Sequence, residues 1–354
     1  MKPEYIGLKQ YEVCQGHICF LACLADLARN IGIDISEEII LGLSTGLQFT
    51  TETDQDDHLI RTSIGCANIL SDEKEIRRCL EMFGIRLEVM YMADVTQGIK
   101  MMKEKLANGI PVMVSIDIYY MDYHIEYGRK HGGHDIVVFG MDEQRGVVYI
   151  ADNYIQTITG KTFKGAISID HLLDAMGSDI GEDDVPAYII FLEAYENRPV
   201  ITREYICRKI RETANGVADK EMKNGNVLRS ISLLKKYLLT IGDWENDDIL
   251  CGQLDEISSR IVGYAGPVPA RLLYARFLEW VSDRYAFALD QSILDGYISL
   301  SKQWKIVGNL FIKMTHVRQQ AILQRIINRL ENIEKKESEL AAKCIEFVDN
   351  IDGE

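Results

Sequence analysis

What the chain lacks narrows its function first. Nowhere in its 354 residues do roughly 18–20 apolar residues run unbroken, so no membrane span is expected. The start, "MKPEYIGLKQYEV", has no apolar core of a secretory signal, and a cytoplasmic protein is expected. Cys14, Cys19, Cys23, Cys66, Cys79, Cys207, Cys251 and Cys344 follow no regular framework; without export they are expected as reduced thiols. There is no CxxC pair and no Cys/His cluster with the spacing of a structural zinc site. "HGGH" at 131–134 brings two imidazoles close, but its glycines argue for a turn, and no metal is expected. No basic stripe relieves the net charge of −15, which argues against a nucleic-acid partner. A fixed-period repeat and a low-complexity tract are absent too.

What is present is ordinary for a soluble globular protein, 47% hydrophobic and 26% charged. The length is too great for one compact core, and two domains are expected. The charge divides unevenly between them. Residues 1–197 carry 16 Lys+Arg against 32 Asp+Glu, a net of −16, whereas residues 198–354 carry 23 against 22, a net of +1.

The first half mixes helix and strand signals. Phe20, Leu24, Leu27, Ala28 and Ile31 recur at helical spacing over 19–31. Ser36-Glu37-Glu38 reads as a cap before a short helix, and further helices are expected near 72–82 and 93–107, stopped by Gly84 and Gly109. Apolar runs of strand length follow at 111–120, 134–142, 147–152 and 187–193, with "DEQRG" a hairpin turn between the second and third. Helices first and an antiparallel sheet later make an α+β domain. Beyond residue 198 the pattern is helical, with helices expected at 225–240, 270–286, 291–314 and 315–349. The domains are thus expected at 1–197 and 198–354.

Chemistry concentrates in "QGHICFLACLADLARNIG" (15–32). A cysteine opening a helix meets unsatisfied N–H groups and the positive end of the macrodipole, which favour a thiolate nucleophile. Such a nucleophile needs a base, most often a histidine held by a carboxylate. His134 opens the strand "DIVVFG", and Asp152 ends the next strand, "VVYIAD". In a hairpin the start of one strand lies beside the end of the next, so Cys19, His134 and Asp152 form a candidate Cys-His-Asp constellation. Plainer readings stand beside it: Cys19 as helix core, His134 as a strand cap, and Asp152 with Asn153 as a chain turn. Cys23, one turn on among Phe20, Leu24 and Leu27, reads as core. Cys14 is the alternative nucleophile. His58, His124, His131, His171 and His316 read as surface or turn residues.

These residues carry a family resemblance. "C-x3-C-L-x-x-L-A-R-x-x-G" from Cys19 to Gly32 resembles the nucleophile helix of papain-like C39 peptidases, and "HDIVVFG…VYIADN" resembles their His strand and Asp turn. The chain is more similar still to the butirosin biosynthesis protein H family, through "GHIC", "GIDISEE" and "LGLSTGLQF". "GYAGPVPARLLYARFLEW" and the later Trp304 resemble the helical domain that often follows. The resemblance implies a papain-like fold and an amide-forming acyltransferase of natural-product biosynthesis. It would pass an acyl group from the phosphopantetheine thioester of a carrier protein to a small-molecule amine. Cys19 would be the nucleophile, His134 the base and Asp152 its orienting partner, with no cofactor of the protein's own. The sequence departs from the pattern twice. It reads His-Ile-Cys where His and Cys are adjacent in the family, and Val13 stands where papain-like peptidases place an oxyanion glutamine. Gln15, His17 and Asn153 are the candidates for oxyanion or pocket roles, with Gln10 a further glutamine upstream.

Two surface features bear on substrates. The loop 41–58 has the glycines and polar residues of a lid, and its Glu52, Asp54, Asp56 and Asp57 could attract a cationic amine or simply face water. Arg203, Arg208, Lys209 and Arg211 would suit an acidic carrier, or pack with their charges in solvent. A peptidase using the same triad and a non-catalytic scaffold are the competing functions; a homo-oligomer is left open.

Overall fold

A computed structural model describes residues 5–352 except 45, 48–49, 54–58, 64–68, 93, 156–160, 179–186, 197–198, 219–226, 229–230, 242–243 and 263–265. Along the chain run β1 (Ile6–Gly7), α1 (Cys19–Asn30), α2 (Glu37–Leu43), β2 (Thr50–Thr53), β3 (Leu59–Ser63) and α3 (Ile69–Met82). There follow β4 (Ile85–Tyr91), α4 (Val95–Ala107), β5 (Val112–Asp117), β6 (Gly133–Asp142), β7 (Val147–Ile155), β8 (Lys161–Ser168), α5 (Ile169–Gly177) and β9 (Tyr188–Ala194). The later part comprises α6 (Arg203–Ala218), β10 (Val227–Leu228), α7 (Ile231–Thr240), α8 (Asp248–Val262), α9 (Pro267–Tyr285), α10 (Gln291–Val317) and α11 (Gln320–Asp352). The protein is α+β, with an antiparallel sheet after the first helices and an all-helical end, the arrangement expected of a papain-like domain with a helical partner.

By their internal contacts the residues form two compact units, Met1–Ile40 with Glu73–Val200, and Leu41–Asp72 with Ile201–Glu354. The chain thus divides near residue 200, but the passage Leu41–Asp72, read from sequence as part of the first domain, groups with the helices. Packing explains why. Gly42 lies so close to the Phe277 ring that a Cβ would meet it at 2.1 Å. The Tyr205 hydroxyl donates to Leu43 O at 3.2 Å, and β10 pairs with β2. Of the expected lid, Asp54, Asp56, Asp57 and the Glu52 side chain lie outside the described residues, as do His58 and Cys66.

In the first unit the strands run in the order β4-β9-β5-β6-β7-β8, every pair antiparallel, with β1 added to β6. Alternation along the strands gives the sheet two apolar faces. Val112, Val114, Ile136, Val138, Val148, Ile150, Ile189 and Phe191 pack with Met102 and Leu106 of α4 and Leu172, Ala175 and Met176 of α5. The β6–β7 hairpin closes as expected. Asp142 Oδ1 accepts from Arg145 N at 3.0 Å, and Gly146 takes the left-handed φ of +66° that a side chain would resist. The apolar run 111–120 is not all strand: the Asp117 carboxylate caps a 3-10 turn at Ile118–Tyr120 by accepting from Tyr119 N at 3.0 Å.

In the second unit the helices differ from expectation at their ends. The one expected at 225–240 begins at Ile231. The last two part at Arg318, which adopts φ +50° as a helix cap, and not after residue 314. The basic side chains of α6 are engaged within this unit. Arg211 pairs with Asp349 at 2.8 Å and Arg208 with Glu212 at 3.7 Å. Lys209 is buried, with Glu212 at 3.1 Å, and the Arg203 guanidinium lies 4.6 Å from the Phe287 ring centroid. Of the four, Arg208 is exposed, Arg203 and Arg211 are half-buried and Lys209 is buried.

Candidate active site

Cys19 is the first residue of α1 and is half-buried; its cap, Ile18, is extended at φ −134°. No preceding turn exists to accept the N–H groups here, so the start of α1 is rich in donors. The irregular segment leading in is anchored from two sides. Glu37, opening α2, accepts from the backbone of His17 at 3.0 Å and of Ile18 at 3.1 Å, and its Oε1 lies 2.8 Å from His17 Nδ1. On the other side Gly16 N donates to Asn153 O at 2.9 Å, and Asn153 Nδ2 donates to Cys14 O at 3.1 Å.

These contacts revise two candidates. Asn153 spends its amide donors on Cys14 O and on the buried Asp26 carboxylate, so it does not point a donor at an oxyanion. Its place in the lead-in to α1 is structural. His17, two residues before the nucleophile, is tied to Glu37 and holds the chain. Gln15 is exposed, as is Cys14, whose backbone N–H donates to Asp26 at 3.2 Å.

Register explains the base. Val137 sits opposite Ala151, which places Asp152 opposite Ile136, one diagonal step from His134 on the same face. His134 Nε2 lies 3.0 Å from both carboxylate oxygens of Asp152; their exposures are 8% and 0%. Nε2 must donate to this acceptor, which leaves Nδ1 for the proton of Cys19. Burial opposes charge on His134, but Asp152 and Cys19 outweigh it and hold the imidazolium well above the usual histidine range. Burial likewise raises Asp152, and His134 more than reverses this, so the carboxyl lies below its usual range. The hydroxyl of Tyr123 and the N–H of Tyr154 also donate to Asp152, each at 3.0 Å. The β7–β8 pairing slips just past Asp152, between it and Ile155. That bulge lets Tyr154 N turn back to the carboxylate and Asn153 turn toward α1.

Residues 19–153 match the model of a family described as butirosin biosynthesis protein H, N-terminal. This stretch is butirosin biosynthesis protein H-like. It begins at Cys19 and ends just after Asp152, so the whole Cys-His-Asp constellation lies inside it. No curated protein matches the chain.

Within this butirosin biosynthesis protein H-like region, three side chains escaped sequence reading. Asp135, the neighbour of His134, accepts from the Cys19 thiol at 3.7 Å and from the Tyr188 hydroxyl at 2.6 Å. Burial raises its pKa, only partly offset by Tyr188, His134 and Cys19. His124, read as surface, is buried with its ring 6.1 Å from that of His134, and burial with His134 lowers its pKa. Tyr123 stacks on Phe163 at 4.1 Å while bonding Asp152. No sequence spacing marks these three: Tyr123 and His124 come in on the chain between β5 and β6, and Asp135 comes in from β6 on the face opposite to His134. Cys23 is core: its thiol donates to Asp135 O and Asn153 Oδ1, both at 3.5 Å, and burial pushes its pKa well up. His131 stacks on Tyr119 and bonds Asp117 at 2.6 Å, so "HGGH" splits between two carboxylates. Among the described residues no group of His, Cys, Asp and Glu could hold a metal. Among them, too, no helix is long and apolar enough to cross a membrane.

Proposed function

We propose that the protein is an amide-forming acyltransferase of natural-product biosynthesis, working through an acyl-Cys19 intermediate. The observation that carries this reading is the His134 ring, bonded to buried Asp152 through Nε2, with Cys19 at the start of α1 helping to hold its imidazolium. The family name, which refers to butirosin biosynthesis, supports the setting. The Cys19 thiolate attacks a thioester carbonyl presented on the phosphopantetheine arm of a carrier protein. The developing oxyanion lies at the start of α1, where N–H groups lack helical acceptors. The tetrahedral adduct collapses as His134 gives its proton to the departing pantetheine sulfur. His134, now neutral, serves as base toward an incoming amine, whose attack on the acyl-enzyme yields the amide and returns the thiolate–imidazolium pair. Thioester exchange is near balance and amide formation runs downhill, so the cycle needs no nucleotide.

The test is intact-protein mass spectrometry after mixing with acyl-pantetheine thioesters. Wild type gains an acyl adduct that maps to Cys19 and disappears on adding an amine, and Cys19→Ala gains none. Failure of wild type to form any adduct, with carrier-bound thioesters also tried, would overturn the proposal. Cleavage of ordinary peptides without a carrier would point to a peptidase.

A further inference from the structure

Asp135 has no task in the cycle above, yet its carboxylate is the acidic group next to the nucleophile. Strand alternation turns it away from His134 and toward α1: Oδ2 lies 3.7 Å from Cys19 Sγ, and Oδ1 is held by the Tyr188 hydroxyl at 2.6 Å. Tyr188 lies on β9, on the same side of the sheet as Asp135, and its own N–H donates to Ser115 Oγ at 3.2 Å. The group is 7% exposed. Its place beside the sulfur serves neither the attack on the thioester nor the departure of the pantetheine thiol, both of which run through His134. A purpose must be sought at another step.

Proton counting supplies one. Ionisation passes the thiol hydrogen to His134, so in the thiolate and then in the acyl-enzyme Oδ2 has lost that donor while still facing the sulfur that carries the acyl group. An aliphatic amine arrives at neutral pH as an ammonium ion. It must lose one proton to become a nucleophile and a second after attack, when nitrogen carries positive charge. His134, neutral after acylation, can take only one. Resting on the acyltransferase reading, we propose that Asp135 is the second proton acceptor of aminolysis and the group that receives the acceptor ammonium beside the acyl-enzyme. The ammonium replaces the lost thiol hydrogen bond and passes one proton to Asp135 Oδ2. The nitrogen lone pair then forms the N–C bond, and the C–S bond breaks with its electron pair on Cys19. The second N–H proton goes to His134. Acyl-Cys19, ammonium, neutral His134 and the Asp135 carboxylate thus become amide, Cys19 thiolate, imidazolium and the Asp135 acid, which returns its proton to water. Burial, which raises the pKa of Asp135, makes it a more competent base than a solvated carboxylate. Hydrolysis leaves only one proton for the enzyme to remove at the attacking oxygen, so this device serves amines in preference to water.

The experiment compares wild type with Asp135→Asn, an isosteric change, using an acyl-pantetheine thioester and two acceptors. One is an alkylamine; the other is hydroxylamine, which is unprotonated at neutral pH. The variant is expected still to form the Cys19 adduct, so that the second half-reaction can be read separately. Transfer to the alkylamine falls about 10²-fold at neutral pH, recovers as pH rises and the amine loses its proton, and gives way to hydrolysis. Transfer to hydroxylamine stays near wild type. Equal losses with both acceptors, a loss that pH does not relieve, or no loss at all would overturn the role of Asp135. If wild type forms no acyl adduct, the acyltransferase reading fails and this inference falls with it; if the adduct forms, only Asp135 is in question.

Discussion

His134 and Asp152 share a proton under conditions that water would not allow. Their charges sustain each other against burial, with the imidazolium stabilised and the carboxyl kept ionised. Because His134 must carry a proton to release the pantetheine thiol, acylation stays active above the usual histidine pKa and fails only as pH rises through the raised value. Asp152→Asn removes the charge that raises it. The alkaline limb of the acylation rate should therefore move to lower pH by ~1–3 units, with the rate at neutral pH down at least about 10²-fold. A pH profile with a short thioester measures both. An unmoved limb would mean that Asp152 orients the ring without setting its charge. At this scale the three main residues were legible: Cys19 opens α1 and His134 lies at the start of β6, while Asp152, expected to end its strand, lies inside β7, which runs on to Ile155. Asp135 was not, because adjacency to His134 says nothing of which helix lies under the opposite face.

The lead-in to α1 shows how an element holds a nucleophile in place. Glu37, Asn153 and Asp26 fix the backbone from Cys14 to Ile18, and Gly16 sits where a Cβ would meet Ala22 Cβ at 2.2 Å. That contact lies between the anchored lead-in and the helix it precedes. Gly16→Ala should cost about 1–3 kcal/mol through overpacking and, by shifting the lead-in, slow alkylation of Cys19 together with acylation. Thermal melting and an iodoacetamide time course read the two effects. Lost stability with unchanged Cys19 reactivity would show that the lead-in carries packing alone. The glycine in "QGHIC" was visible in the sequence, but its closeness to Ala22 depends on how the lead-in packs on the helix.

At the scale of the whole molecule, the helical unit is organised around a buried ion pair. Arg271 Nε donates to Glu337 Oε1 at 2.8 Å, and Trp304 Nε1 donates to the same oxygen at 3.2 Å. Both charged side chains are almost fully buried, and Arg271 Nη1 and Glu337 Oε2 find no further partner among the described residues. Such a pair is weak support for stability but costly to break on one side. Arg271→Met should destabilise by about 3–5 kcal/mol, and adding Glu337→Met should restore most of the loss. Urea denaturation of the single and double variants decides it; a double variant no better than the single would mean that shape, and not charge, makes the site. The motif "GYAGPVPARLLYARFLEW" contains this arginine, yet its partner lies on α11, 66 residues away.

Hydrophobic periodicity, turn residues and the placement of Cys19, His134 and Asp152 by themselves determined the α+β class, the hairpin, the helical second half and the candidate triad, because each depends on neighbours along the chain. Sequence reading missed β4 and β8, strands whose mixed burial blurs their alternation. Only the tertiary structure decided that Leu41–Asp72 groups with the later helices, that Asn153 and His17 are anchors, and that Asp135, His124 and Tyr123 surround the base. Those outcomes depend on which faces meet after folding, and the long-range contacts that select them leave no periodic trace in the order of residues.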